Sequence, residues 1–163
     1  MSVDKIKILE KVLVYDRLLR FNIDLLNGIR MEIKADIEET KILEDAFLKE
    51  KESEFVRNFL LKIETEFLSK LEEVLDSIYD EYEVFNFDIT FLSSIPEEVE
   101  RDINRLGLVS TLNSKLELLR DILSDACCID KLSTRLKVIL TPFKVYCELI
   151  NHGIEFNKKF ENI

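Results

Sequence analysis

The feature that most constrains this chain is a seam of large apolar residues at Leu60, Ile63, Phe67, Leu71, Val74, Ile78, Tyr82 and Phe85. Its steps are 3, 4, 4, 3, 4, 4 and 3 residues, about 3.6 per step, which is the α-helical period. The positions between are acidic: Glu64, Glu66, Glu72, Glu73, Asp76, Asp80, Glu81 and Glu83 stand against a single base, Lys70. The pattern predicts a long amphipathic helix with one apolar stripe and one anionic face. It specifies no reaction.

Turn-forming residues are scarce. Gly occurs 3 times and Pro twice in 163 residues, far below the average usage of roughly 12% for the two together. Such a chain makes few tight hairpins and favours a few long helices. Hydrophobic residues at 47% and charged residues at 34% argue against disorder. A chain of this length buries roughly 70% of its unfolded surface, so it needs neither disulfide nor metal to fold. The expectation is all-α: one domain over residues 1–163, a bundle of about five helices with at least one long amphipathic member.

Local signals place the elements. The first helix is expected from Ser2 or Asp4, with apolar positions Ile6, Leu9, Leu13, Leu18, Leu19, Leu25, Leu26 and Ile29. Asn22 and Gly28 interrupt it, which predicts a bend or break within Phe21–Gly28. The pattern resumes at Ile29 and runs toward Phe47. The charged hexamer Lys49–Glu54 is either a turn or the exposed waist of one continuous helix, with Ser53 a possible cap for the next. Phe85, Phe87, Ile89 and Phe91 alternate with Asn86, Asp88 and Thr90, the one period-2 run in the chain. This reads as an extended connector covering the bundle, or as an edge that pairs with a partner, with Phe87, Ile89 and Phe91 the candidate contacts. Ser94-Ile-Pro-Glu97 is a capping box opening a helix along Val99, Ile103 and Leu106 and closed by Gly107. A second box at Ser114–Glu117 falls near the start of the next, along Leu112, Leu116, Leu119 and Leu123. The last helix is expected from about Lys131 to His152, kinked or split at Pro142 and stopped by Gly153.

The formal charge of −10 is uneven. Residues 1–50 carry −2, residues 51–100 carry −10 and residues 101–163 carry +2. An acidic chain is a poor default binder of nucleic acid or anionic membrane. No run approaches the ~18 apolar residues of a membrane span, so no membrane partner is expected. Charges within MSVDKIKILE argue against a secretory signal. The odd cysteine set Cys127, Cys128 and Cys147 reads as reduced buried thiols in the cytoplasm. Absent Gln with abundant Glu and Lys resembles a thermophile bias, while nine Asn residues run against it.

Three function classes remain. The first is a non-catalytic scaffold or adaptor subunit that presents helix faces to a protein partner, or to a second copy. The second is an accessory subunit touching nucleic acid within a replication, transcription or CRISPR-type complex. Its candidate contacts are Lys131, Arg135, Lys137 and Lys144, in a stretch between Asp130 and Glu148 that holds no acid. The third is a Mg²⁺-dependent nucleotide hydrolase built on carboxylate pairs such as Glu32/Asp36, Glu72/Asp76 and Glu73/Asp76. Lys70 is nearly alone as a base for the substrate's phosphates, which weakens this class. Cysteine and histidine spacing fits no zinc site, His152 has no triad partners, and no cofactor is expected. The adaptor reading fits best.

Overall fold

The computed structural model describes residues 3–92, 108–127 and 133–159, and among them every element is helical. Helix α1 spans Val3–Phe47. Helix α2, Glu50–Lys62, runs through a π-helical turn at Ile63–Leu68 into α3, Ser69–Leu92. Helix α4 is Leu108–Cys127 and α5 is Thr134–Lys158. These make four rods, the second being α2–π–α3. The additional helix expected after the capping box at Ser94 lies outside the described residues. No helix is long and apolar enough to cross a membrane, among the described residues.

Side-chain pairs set the directions of the rods. Along α1 and the second rod, Tyr15 faces Phe85, Arg20 faces Tyr82, Asn27 faces Tyr79, Lys34 faces Glu72, Lys41 faces Glu64 and Glu44 faces Arg57. One number rises as the other falls, so the two rods are antiparallel. The same holds for α1 against α5, through Phe21–Phe156, Asn22–Asn157, Asp36–Tyr146 and Phe47–Arg135. Helix α4 runs antiparallel to α5 through Asn113–Asn157 and Arg120–Asn151. The result is an up-down-up-down bundle with lopsided lengths. At 1.5 Å per residue α1 is about 67 Å long, whereas α4 and α5 are about 30 and 37 Å. The short helices cannot cover all of α1, and Ile6, Leu9 and Leu13, which the apolar pattern places with the core, are exposed.

The seam forms as its spacing requires. Leu60, Ile63, Phe67, Leu71, Val74, Ile78 and Phe85 are buried, and Tyr82 is half-buried, its hydroxyl accepting from Arg20 Nε at 3.1 Å. Of the eight intervening acids, all are exposed except Glu81, which is half-buried. The π turn packs against α4 and brings Ile63, Phe67 and Leu68 all inward.

Helix continuity departs from the sequence reading at several points, each for the same reason. Helix α1 is unbroken through Asn22 and Gly28. Gly28 costs about 1 kcal/mol against Ala, but its neighbours Leu26 and Ile29 are fully buried, and each such side chain contributes about 1.5–3 kcal/mol. Asn22 is no breaker because its amide is satisfied inside the core. Helix α5 passes Pro142 without splitting, carried by the buried Leu140, Phe143 and Tyr146. It also passes Gly153 and places His152 within the helix rather than at its end. At Gly153 an added Cβ would come within 2.5 Å of Leu25 Cδ2, so glycine serves close approach of α5 to α1. The chain does turn after Phe47, and α2 begins at Glu50 with Ser53 inside it. Likewise α4 begins at Leu108, which leaves Ser114 within the helix rather than at its start. Ser133 caps α5: its Oγ accepts from Leu136 N at 3.3 Å and donates to Glu52 Oε2 at 2.8 Å, tying α5 to the start of α2.

Residues 85–92 correct the period-2 reading, because they are helical. Phe85, Ile89 and Leu92 are also spaced i, i+4, i+7, so these letters satisfy both periods. Extending an existing helix fixes one residue per hydrogen bond, without the cost of a new nucleus. The helical backbone offers no strand edge to a partner. The side chains of Phe87, Ile89 and Phe91 lie outside the described residues.

Candidate functional site: the groove between α1 and α5

Helix α5 crosses the second half of α1 with its core stripe, Leu136, Leu140, Phe143, Tyr146 and Ile150, turned inward. Phe143 meets Phe59 edge-on at 5.1 Å. Outside this stripe, Ile139, Cys147 and Leu149 pack partly on the core, whereas Val138 has nowhere in the bundle to go. Val138 is 68% exposed, and Phe47 at the end of α1 is 62% exposed. Between the two helices lies an open groove of about 850 Å³. Its α1 wall is Asp36, Glu39, Thr40, Leu43, Ala46 and Phe47, and its α5 wall is Thr134, Arg135, Val138, Ile139 and Pro142. The positions recur every three or four residues on each helix, so the groove follows the helix axes.

The two ends of the groove differ in charge. At one end stand Glu32, Asp36 and Glu39, spaced i, i+4, i+7 on α1, and no ion pair neutralises them among the described residues. Tyr146 donates its hydroxyl to the Asp36 carboxylate. Burial first, then that hydrogen bond and the charges of Asp36 and Glu32, push the Tyr146 hydroxyl above its ordinary range. At the other end Arg135 Nη1 donates to the Phe47 carbonyl at 3.0 Å, closing the end of α1. Pro142 supplies no N–H to the carbonyl of Val138, so one helical hydrogen bond is missing beside the groove.

The basic segment is only partly assembled. Arg135 belongs to the groove wall. Lys137 and Lys144 are exposed on α5 away from it, and Lys131 lies outside the described residues. The carboxylate pairs weighed for Mg²⁺ do not converge. Asp36 and Glu32 act on Tyr146 of α5, while Glu72 pairs with Lys34 at 3.2 Å and Glu73 with Lys70 at 3.4 Å. No group of three His, Cys, Asp or Glu side chains gathers to hold a metal ion, among the described residues. Cys147 is a free thiol, and burial pushes it above its ordinary range. The groove itself was not singled out from sequence. Its signal is apolar residues off the core stripe, Val138 and Ile139, close to Pro142.

Among the described residues these features make an antiparallel arrangement of four helical rods with an open groove, acidic at one end, between α1 and α5. The chain is 60% identical over 158 residues to an uncharacterized protein of Aquifex aeolicus (strain VF5), with 96% of this chain and 95% of the relative aligned, and it belongs to the same family. No family model matches it, and no solved structure matches it.

Proposed function

We propose that this protein is a non-catalytic adaptor, a cytoplasmic subunit that binds a protein partner through a helix face. The observation that supports this most is the exposed apolar lining of the α1/α5 groove, centred on Phe47 and Val138. Clustered exposed apolar surface rimmed by charge marks protein interaction sites. The free thiol of Cys147 accords with a reducing compartment. The test is affinity capture of the full chain from lysate of its source cells, with lysine-reactive crosslinking. The adaptor reading expects a stoichiometric protein partner. Recovery of nucleic acid in place of protein, lost as salt rises, would move the assignment to the accessory-subunit reading, for which Lys137 and Lys144 remain exposed.

A further inference from the structure

We infer that the α1/α5 groove takes an amphipathic helix of a partner protein, laid parallel to α1, with basic residues in its first turns. The inference rests on the adaptor reading and names the partner's chemistry. From Asp36 to Phe47 the groove runs about 16 Å at 1.5 Å per residue, which is three helical turns. It is open, its lining positions recur at the helical period on both helices, and its apolar members are Leu43, Ala46 and Phe47 on α1 and Val138, Ile139 and Pro142 on α5. Such a trough receives side chains at i, i+4 and i+7 of a guest helix.

Charge sets the direction. The guest's N-terminus carries a partial positive charge and its C-terminus a partial negative one. Glu32, Asp36 and Glu39 concentrate uncompensated negative charge at one end. At the other, the negative end of α1 and the positive end of α5 oppose one another, and Arg135 is offset by the Glu52 carboxylate beside it. A guest running from Asp36 toward Phe47 sets its positive end against Asp36 and Glu39, and lysine or arginine in its first turns adds to the match. The reversed guest sets its negative end against those acids.

The test is selection from a phage-displayed library of peptides roughly 18 residues long, enough for three turns with flanks, on the full chain. Counter-selection uses Val138→Asp. Val138 is exposed, and circular dichroism checks that the variant keeps its helices. The expected winners carry apolar residues at i, i+4 and i+7 with Lys or Arg toward the N-terminus. They bind at least about tenfold more weakly to Val138→Asp, and about threefold or more weakly to Glu39→Lys, with affinity falling as salt rises. No enrichment over Val138→Asp, or winners without helical periodicity, overturns the inference. So does a parent chain that sediments as a dimer and becomes monomeric on Val138→Asp, which gives the groove to a second copy. A cellular partner that Val138→Asp retains undamaged would leave the adaptor reading standing and remove the groove from it. Capture of no partner at all would remove the adaptor reading itself.

Discussion

At the scale of single residues, the core holds a polar cluster that the apolar pattern hides. Asn22 Nδ2 donates to Leu18 O at 2.7 Å and to Asn157 Oδ1 at 2.8 Å, Asn157 Nδ2 donates to Asn113 Oδ1 at 3.0 Å, and Asn113 Nδ2 reaches Ile154 O at 3.5 Å. Three helices are thereby held in register by amides that are each nearly or fully buried. Asn157 Nδ2 also donates to Asn22 Oδ1 at 3.1 Å, so Asn157→Leu, with the same number of side-chain heavy atoms, orphans the Oδ1 acceptors of Asn22 and Asn113, at about 1–3 kcal/mol for each buried group. A loss of at least about 2 kcal/mol in urea unfolding is expected. Gly28 is the opposite case. Nothing lies within 4 Å of where its Cβ would be, so Gly28→Ala should stabilise by about 0.5–1 kcal/mol. Glu81 supplies a pH test. Its Oε2 is buried without a hydrogen-bond partner, and burial raises its carboxyl above the ordinary value, with Lys115 offsetting part. The folded state therefore holds this proton more tightly than the unfolded chain. Its contribution is present below the unfolded carboxylate range and is lost as pH rises through the folded value. Glu81→Gln should raise the urea midpoint at about pH 7 and leave it nearly unchanged at about pH 4; a variant no more stable at neutral pH would contradict this.

At the scale of elements, the long seam was legible because eight residues at one period leave no competing arrangement. Phe67→Ala should cost about 3–5 kcal/mol as a large-to-small change in a fully buried site. Glu73→Ala, on the exposed face, should cost under about 0.5 kcal/mol. Equal losses would mean that the helix presents a different face. What failed to read from sequence was continuity. Gly28, Pro142 and Gly153 each disfavour a helix locally, and each was outvoted by buried neighbours whose contact partners lie more than 80 residues away in some cases, as Phe143 does from Phe59. Seven residues at 85–91 were too few to separate period 2 from period 3.6. Pro142 remains a local weakness despite continuity. Pro142→Ala restores the N–H for Val138 and should stabilise by about 1–3 kcal/mol in thermal or chemical unfolding.

At the scale of the whole molecule, the sequence showed that the chain is helical and acidic but not where its surface is unfinished. The groove depends on how α5 crosses α1, a placement set by the Asn22–Asn157 pair, the Gly153 contact and the Asp36–Tyr146 hydrogen bond, none of which is local in sequence. Exposed apolar residues occur elsewhere, for example Met31 at 70% and Leu13 at 62%, and single ones need no explanation. The groove, rather than scattered apolar exposure, is the proposed binding surface. The most direct measurement is quantitative co-purification of the crosslinked partner with the parent chain, Val138→Asp and Met31→Asp, each checked for intact helicity. Val138→Asp is expected to lose the partner at least about tenfold while Met31→Asp retains it. Equal retention by both variants, or loss confined to Met31→Asp, would contradict the proposal.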